Sequence, residues 1–310
     1  MRARLPKISV IGAGNVGSAL ARALHDAGCT IASVVSKSGG SALGLAKAVQ
    51  CRRASTSVGD VAADTEVVVI STPDREVEGV ARLLSQHKRL KFRKIVVVHT
   101  SGVLPVSVLT PLKKKGALVA SMHPVQSFPA VTRARGGPKL KGVFFGIEAD
   151  EKAGARIGQL VRAMGGQPMP VSEDIKPLYH ATCVFASGYM VTFLNAVSEL
   201  AHMLDLKASW TEVFGPIMTT SMENTIRHSA NEALTGPIVR HDMATISLHL
   251  DALRQWSPQL IPLYTVCGLE SARIARDNGR IGREDFQSIL ALFRKAIRSS
   301  PSTKKQKVKR

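Results

Sequence analysis

Residues 8–19 read Ile8-Ser9-Val10-Ile11-Gly12-Ala13-Gly14-Asn15-Val16-Gly17-Ser18-Ala19. A short β-branched run enters a GxGxxG turn, and small residues follow it at helical spacing. In a strand–turn–helix of this kind the first glycine permits the tight turn. The second lets backbone amides approach a pyrophosphate, and the third lets helix and strand pack closely. The start of the helix adds unpaired N–H groups and the positive end of its dipole. The spacing therefore assigns Gly12, Gly14, Asn15, Val16 and Gly17 to a dinucleotide phosphate site.

Outward from this loop, β-branched runs at 31–35, 66–70, 94–99, 118–121 and 143–147 alternate with amphipathic segments at 15–27, 40–50, 74–87, 104–114 and 150–164. Valine- and isoleucine-rich strands alternating with helices imply a parallel sheet covered on both faces. Gly165-Gly166 ends the last of these helices, and 167–171 is a candidate short strand leading out. After Ser172 the strand signals stop. Asp174 reads as an N-cap, Pro177 falls in a first turn, and an apolar helix runs to about residue 203. Ser209 and Glu212 have capping-box spacing, and Gly215-Pro216 is expected to kink or split the helix they open. Further helices are expected at 242–255, 259–276 and 283–297. The expected architecture is α/β: a doubly wound nucleotide-binding domain over 1–168, an all-α domain over 169–300, and a disordered basic tail over 301–310.

Composition narrows the classes. The 310 residues are 45% apolar and 21% charged, as in an ordinary globular chain. Four scattered cysteines, with no CxxC spacing and no Cys/His cluster, fit a reducing cytoplasm and give neither a disulfide framework nor a metal site. The run of basic then apolar residues at the N-terminus is too short for a signal peptide. Residues 181–198 hold no charge, the length of a membrane span. Their serines, threonines, asparagine and glycine favour instead a helix buried in protein. The net charge of +19 is concentrated in the first half and in the last seven residues, KKQKVKR. A basic nucleotide-binding half suits an anionic ligand. The tail would hold polyanions without sequence preference, and nothing else in the chain points to specific nucleic-acid binding.

Beyond the second strand an NAD site would place Asp or Glu. Ser36-Lys37-Ser38 stands there instead, a cation between hydroxyls suited to a 2′-phosphate, so NADP(H) is expected. Two further strand ends should line the same crevice: Ser71-Thr72-Pro73-Asp74 and His99-Thr100.

Several segments resemble one family along almost the whole chain: GAGNVGSALARAL at 12–24, HTSG at 99–102, HPVQSF at 123–128, FGIEAD at 145–150, KPLYHATCVFASGYMVTFLNA at 176–196 and LTGPIVRHD at 234–242. They resemble the Rossmann-like proteins that carry the C-terminal domain of unknown function 2520. That group is related to pyrroline-5-carboxylate and ketopantoate reductases. The resemblance implies a Rossmann domain, a helical dimerisation domain forming a homodimer, NADP(H) binding and oxidoreductase activity. Gly188 and His241 depart from the family pattern, in which asparagine and glycine are expected.

Reduction needs an acceptor held close to the nicotinamide and a proton donor near the developing charge. Lys176 and His180 stand at i, i+4 on the helix that opens the second domain, with Tyr179 beside them and Ser187 on the same face. His123, ending a strand with Gln126 and Ser127 nearby, is the third candidate, and Arg240 could meet a substrate carboxylate. Neither HExxH nor GxSxG occurs, so hydrolase readings have no support. The expected function is hydride transfer between NADP(H) and a small C=O or C=N compound in a cleft between the domains, with Lys176, His180 and His123 as the catalytic candidates. A non-catalytic NADP(H)-binding sensor or scaffold is the alternative.

Overall fold

A computed structural model describes residues 5–130 and 139–298. The expected basic tail at 301–310 lies outside the described residues. The chain divides into two compact units, Met1–Tyr189 and Met190–Arg310.

The first unit is built on strands β1 (Lys7–Ile11), β2 (Thr30–Val35), β3 (Ala54–Ser55), β4 (Val67–Ile70), β5 (Val96–His99), β6 (Leu118–Pro124), β7 (Phe144–Ala149) and β8 (Gln167–Pro170). They form one eight-stranded sheet in the order β3-β2-β1-β4-β5-β6-β7-β8. Helices α1 (Asn15–Asp26), α2 (Gly39–Ala48), α3 (Asp74–Ser85), α4 (Thr110–Lys113) and α5 (Glu151–Ala163) accompany it. Strand alternation sends Val67 and Val69 into one apolar layer with Leu20, Leu24, Phe145 and Ile157. Val68 and Ile70 enter the opposite layer with Val77, Leu84 and Leu109. A strand buried on both faces has no polar side to show, which is why 67–70 is an unbroken apolar run.

Two features depart from the sequence reading. β7 runs antiparallel to β6, so the sheet is parallel only up to β6 and again between β7 and β8. The two-residue β3 also escapes periodicity, since it contributes only Ala54 and Ser55 to the ladder with β2.

The long apolar helix is α6 (Lys176–Ala201), continuous through a π-helical turn at Phe185–Tyr189. Its N-cap is Ile175, while Asp174 instead accepts from Ser172. The first stretch belongs to the sheet unit and the rest to the helical unit. It is the one helix among the described residues long and apolar enough to cross a membrane, and its apolar window is unburied within the chain. The described residues therefore do not supply the expected enclosure by protein. Thr182 and Ser187 quiet their hydroxyls by donating to the carbonyls of Leu178 and Cys183.

The second unit continues with α7 (Trp210–Arg227), α8 (Ala230–Ala233), α9 (Met243–Trp256), α10 (Ile261–Asp277) and α11 (Arg283–Arg298). Ser209 and Glu212 form both bonds of the capping box, as their spacing predicts. Pro216 does not split α7; the Glu212 carbonyl it leaves unpaired lies in an exposed turn, where water can satisfy it. The core gathers Ile246, Leu250, Leu253, Ile261, Ile289 and Phe293. His241 has φ of 51°, the left-handed region that favours glycine, and its Nδ1 lies 3.1 Å from the Asp285 carboxylate.

Candidate functional site

The carboxyl ends of β1, β2 and β4 surround a cavity of about 670 Å³. Gly12, Gly14, Ser36, Lys37, Ser71, Thr72 and Pro73 line it, joined by Thr56, Ser57, Arg75 and Glu76. The three glycines do different work. A Cβ on Gly12, whose φ is +106°, would strike the Ser71 carbonyl, and one on Gly17 would strike the Gly12 carbonyl. These two let strand, turn and helix close on one another. A Cβ on Gly14 would meet nothing within 4 Å, so that position keeps space open in front of the helix.

α1 has no side-chain cap and no acid in its first turn. Its first amides, at Asn15, Val16 and Gly17, therefore lack intrahelical acceptors and present donors and a positive dipole end. Thr72 Oγ1 is buried without a hydrogen-bond partner. An uncapped helix, an open glycine and an orphaned hydroxyl at one cavity fit a phosphate-bearing nucleotide.

The remaining cofactor candidates sit around this cavity rather than in its lining. The Asn15 side chain donates to the Phe128 carbonyl at 2.9 Å, tying the glycine loop to the segment after β6. The Ser38 hydroxyl caps α2 by accepting from Ser41 N–H. Asp74 opens α3 behind Pro73. Thr100 Oγ1 donates to Ser71 Oγ at 3.3 Å. His99 is fully buried, and its Nδ1 accepts from Ser101 N–H at 3.2 Å. Burial, followed by the nearby Lys176 charge, lowers its pKa to about 3, which makes it a neutral core group.

Further along the same edge, the three catalytic candidates separate into two clusters. Lys176 is only 2% exposed; its Nζ lies 2.7 Å from Glu148 Oε2 and donates to Ser121 Oγ at 2.5 Å. Glu148 also accepts from Val106 N–H at 2.9 Å. Burial pushes the lysine pKa down and Glu148 opposes that. Lys176 and His180 thus share a helix without sharing surroundings.

The second cluster is His123, Tyr179 and His180. His123 Nδ1 lies 2.8 Å from Tyr179 Oη, and the His123 and His180 rings meet edge-on at 5.7 Å between centroids. Gly102 and Gly146 make room for them: a Cβ on Gly102 would lie 2.5 Å from His180 Cδ2, and one on Gly146 2.6 Å from Tyr179 Oη. Burial raises the Tyr179 pKa well above its ordinary value, so the phenol stays protonated, and its hydroxyl also reaches the His123 carbonyl at 3.4 Å. The Nε2 edge of the His123 ring faces Gly102, 2.9 Å from where a Cβ would stand. Burial first, then His180 and Lys176, lower the His123 pKa to about 4.

Sequence reasoning left Glu148, Ser121, Arg75 and Glu76 without roles, and Tyr179 without a partner. A carboxylate inside the strand Phe144–Ala149 was the available signal for Glu148, because a buried charge requires an opposite one.

A Rossmann-like domain model matches residues 1–124, and a model described as domain of unknown function 2520 matches residues 143–271. No curated protein matches the sequence. Among solved structures, a Bacteroides fragilis protein provisionally designated an NADP oxidoreductase is 22% identical, with a TM-score of 0.75 over 87% of this chain and 98% of its own. A pyrroline-5-carboxylate reductase from Coxiella burnetii is 15% identical, with a TM-score of 0.55 over 96% and 100%. An imine reductase from Myxococcus stipitatus, solved with NADP+, is 15% identical with a TM-score of 0.57 over 95% of each chain. At these identities the likeness is one of fold. The chain is a two-domain protein of the kind that joins a Rossmann-like domain to the domain of unknown function 2520.

Proposed function

We propose that this protein is an NADP(H)-dependent oxidoreductase that reduces or forms a small C=O or C=N compound. The observation that carries the reading is the space kept open at Gly14 in front of an uncapped helix. Gly14 and the α1 amides would hold the pyrophosphate, and Ser36 and Lys37 the 2′-phosphate. NADP(H), when bound, supplies or accepts the hydride. The pyrroline-5-carboxylate reductase and the imine reductase among the structural neighbours support the same reading.

The chain's own residues supply the proton. His123, near the end of β6, three strands along the sheet from the glycine loop, places its ring beside Gly102 and His180. One proton taken up from solvent and carried by the His123 imidazolium passes to the substrate oxygen or nitrogen and leaves the imidazole neutral, while Tyr179, 2.8 Å from Nδ1, holds the ring in place. Lys176, engaged by Glu148 and Ser121, anchors the start of α6 and sets the field around His123. We further propose a homodimer through the helical unit, supported by the exposed apolar faces of α6 and α7. The four free cysteines suit a reducing compartment, the cytoplasm being the expected one.

The test is a titration with NADPH and with NADH, followed by nicotinamide fluorescence and repeated with Lys37→Asp, then a screen of carbonyls and imines for NADPH oxidation. NADPH binding weakened by the substitution, with turnover of some acceptor, is the expected result. Binding of neither nucleotide overturns the reading. Binding without turnover of any acceptor leaves a sensor.

A further inference from the structure

The cationic end of the cavity carries its own counter-ion. Lys37 Nζ lies 2.9 Å from Glu76 Oε2, and Arg75 Nε lies 3.7 Å from Glu76 Oε1. Lys37 is on the loop after β2, whereas Arg75 and Glu76 belong to the first turn of α3. All three line the cavity that Gly12 and Gly14 open. The Lys37 side chain is 84% exposed, so the pair can be broken without unpacking anything.

The helix dipole makes this arrangement asymmetric. Glu76 suits the first turn of α3, but Arg75 stands where the dipole disfavours a cation. Helix stability therefore does not account for Arg75, and an anion outside the helix would. A carboxylate at this place has two opposite uses. It can accept hydrogen bonds from the ribose hydroxyls of an unphosphorylated nucleotide, or it can neutralise cations until a stronger anion arrives. Glu76 is already held between two cations. A phosphate monoester, with close to two charges and three acceptor oxygens, competes well for both of them.

We propose that Glu76 is a specificity-determining residue: it occupies Lys37 in the free protein and yields Lys37 and Arg75 to the 2′-phosphate of the cofactor. This rests on the NADP(H) reading above and adds a consequence to it. Displacing Glu76 costs NADPH part of its binding energy and costs NADH nothing, so the wild-type chain discriminates less than its cations would allow.

The experiment measures dissociation constants for NADPH and NADH with wild type, Glu76→Gln and Arg75→Ala, substitutions at a half-buried and an exposed position that leave the core untouched. Glu76→Gln is expected to tighten NADPH by about 3- to 10-fold, the scale of one exposed ion pair plus relief of carboxylate–phosphate repulsion, with NADH unchanged. Arg75→Ala is expected to weaken NADPH by roughly 5-fold and to spare NADH. If wild type binds NADPH but Glu76→Gln leaves the NADPH:NADH ratio unchanged, this inference alone falls. Weaker NADH binding by Glu76→Gln overturns it too, by assigning the carboxylate to ribose hydroxyls. Failure of wild type to bind either nucleotide removes the cofactor reading and this inference together.

Discussion

Lys176 Nζ lies 2.7 Å from the Glu148 carboxylate, with the two side chains 2% and 9% exposed. The pair fastens the first turn of α6 to β7, and through Ser121 and Val106 N–H to β6 and the loop beyond β5. Deleting one partner would strand the other charge away from water. Lys176→Met should therefore lose roughly 3–5 kcal/mol in urea denaturation. Replacing both residues, as Lys176→Met with Glu148→Leu, should recover most of that loss, because no unpaired charge then remains. A double variant as unstable as the single one would show that the ion pair is not what the site depends on.

Two buried histidines make stability fall on the acid side. In the folded protein the pKa values of His99 and His123 are lowered to about 3 and about 4 from an ordinary 6.5. Above pH 6.5 both are neutral whether folded or not, and their contribution is complete. Between 6.5 and the folded values only the unfolded chain takes up the protons, so stability should drop by about 1.4 kcal/mol per pH unit for each histidine. Urea midpoints compared at pH 7 and pH 4.5 should show this slope. His99→Gln or His123→Gln should flatten it, and an unchanged slope in both would refute the assignment.

The glycines of the loop should separate folding from binding. Gly17→Ala drives a methyl into the Gly12 carbonyl and should cost about 1–3 kcal/mol of stability. Gly14→Ala meets nothing in the protein, so its stability should change by less than about 1 kcal/mol, the scale of an altered N-cap. Its NADPH affinity should nonetheless fall by about tenfold or more, since the methyl occupies the phosphate approach. Undiminished NADPH binding by Gly14→Ala would remove the loop from the cofactor site.

Most of the sheet was legible because its signals are local. Val67–Ile70 and Val96–His99 announce buried parallel strands, and Gly12, Gly14 and Gly17 carry their roles in their spacing. Pairings formed by the fold itself were not legible. Glu148 and Lys176 are 28 residues apart, and His123 and Tyr179 are 56 apart. Helical periodicity placed Lys176 with His180, whereas the sheet captures the lysine and leaves the histidine among aromatic neighbours. The Lys37–Glu76 pair was hidden for the same reason: a strand-end loop and a later helix meet only once the sheet has ordered them. The enclosure expected for 181–198 is not found among the described residues, because sequence pattern reports that an apolar face wants cover, not which chain provides it.

The reaction itself is tested at Tyr179. Its hydroxyl lies 2.8 Å from His123 Nδ1, in a position walled by Gly146. Tyr179→Phe keeps the ring and deletes only the hydroxyl that positions His123. Once a substrate is known, kcat should fall by about 10²-fold or more, the scale of a positioned acid–base group, while NADPH affinity stays within twofold of wild type. Unchanged turnover would leave His180 as the donor.

The exposed apolar helices bear on assembly. On α6, Leu178, Phe185 and Val191 are about two-thirds exposed or more, and on α7 Ile217 and Ile226 are 65% and 75% exposed. Within α7, Val213 and Ile217, and again Met222 and Ile226, stand at i, i+4, so their side chains line faces of the helix. Among the described residues, α7 has no fully buried side chain. Exposed apolar side chains on more than one face of a helix call for a partner. Sedimentation equilibrium of wild type should return a dimer, and Ile217→Glu with Ile226→Glu should shift it to monomer at micromolar concentration, because each glutamate would have to be desolvated in the interface. A wild-type monomer under the same conditions would refute self-association. Recovery of the protein only with detergent-extracted membranes would assign the apolar face of α6 to lipid instead.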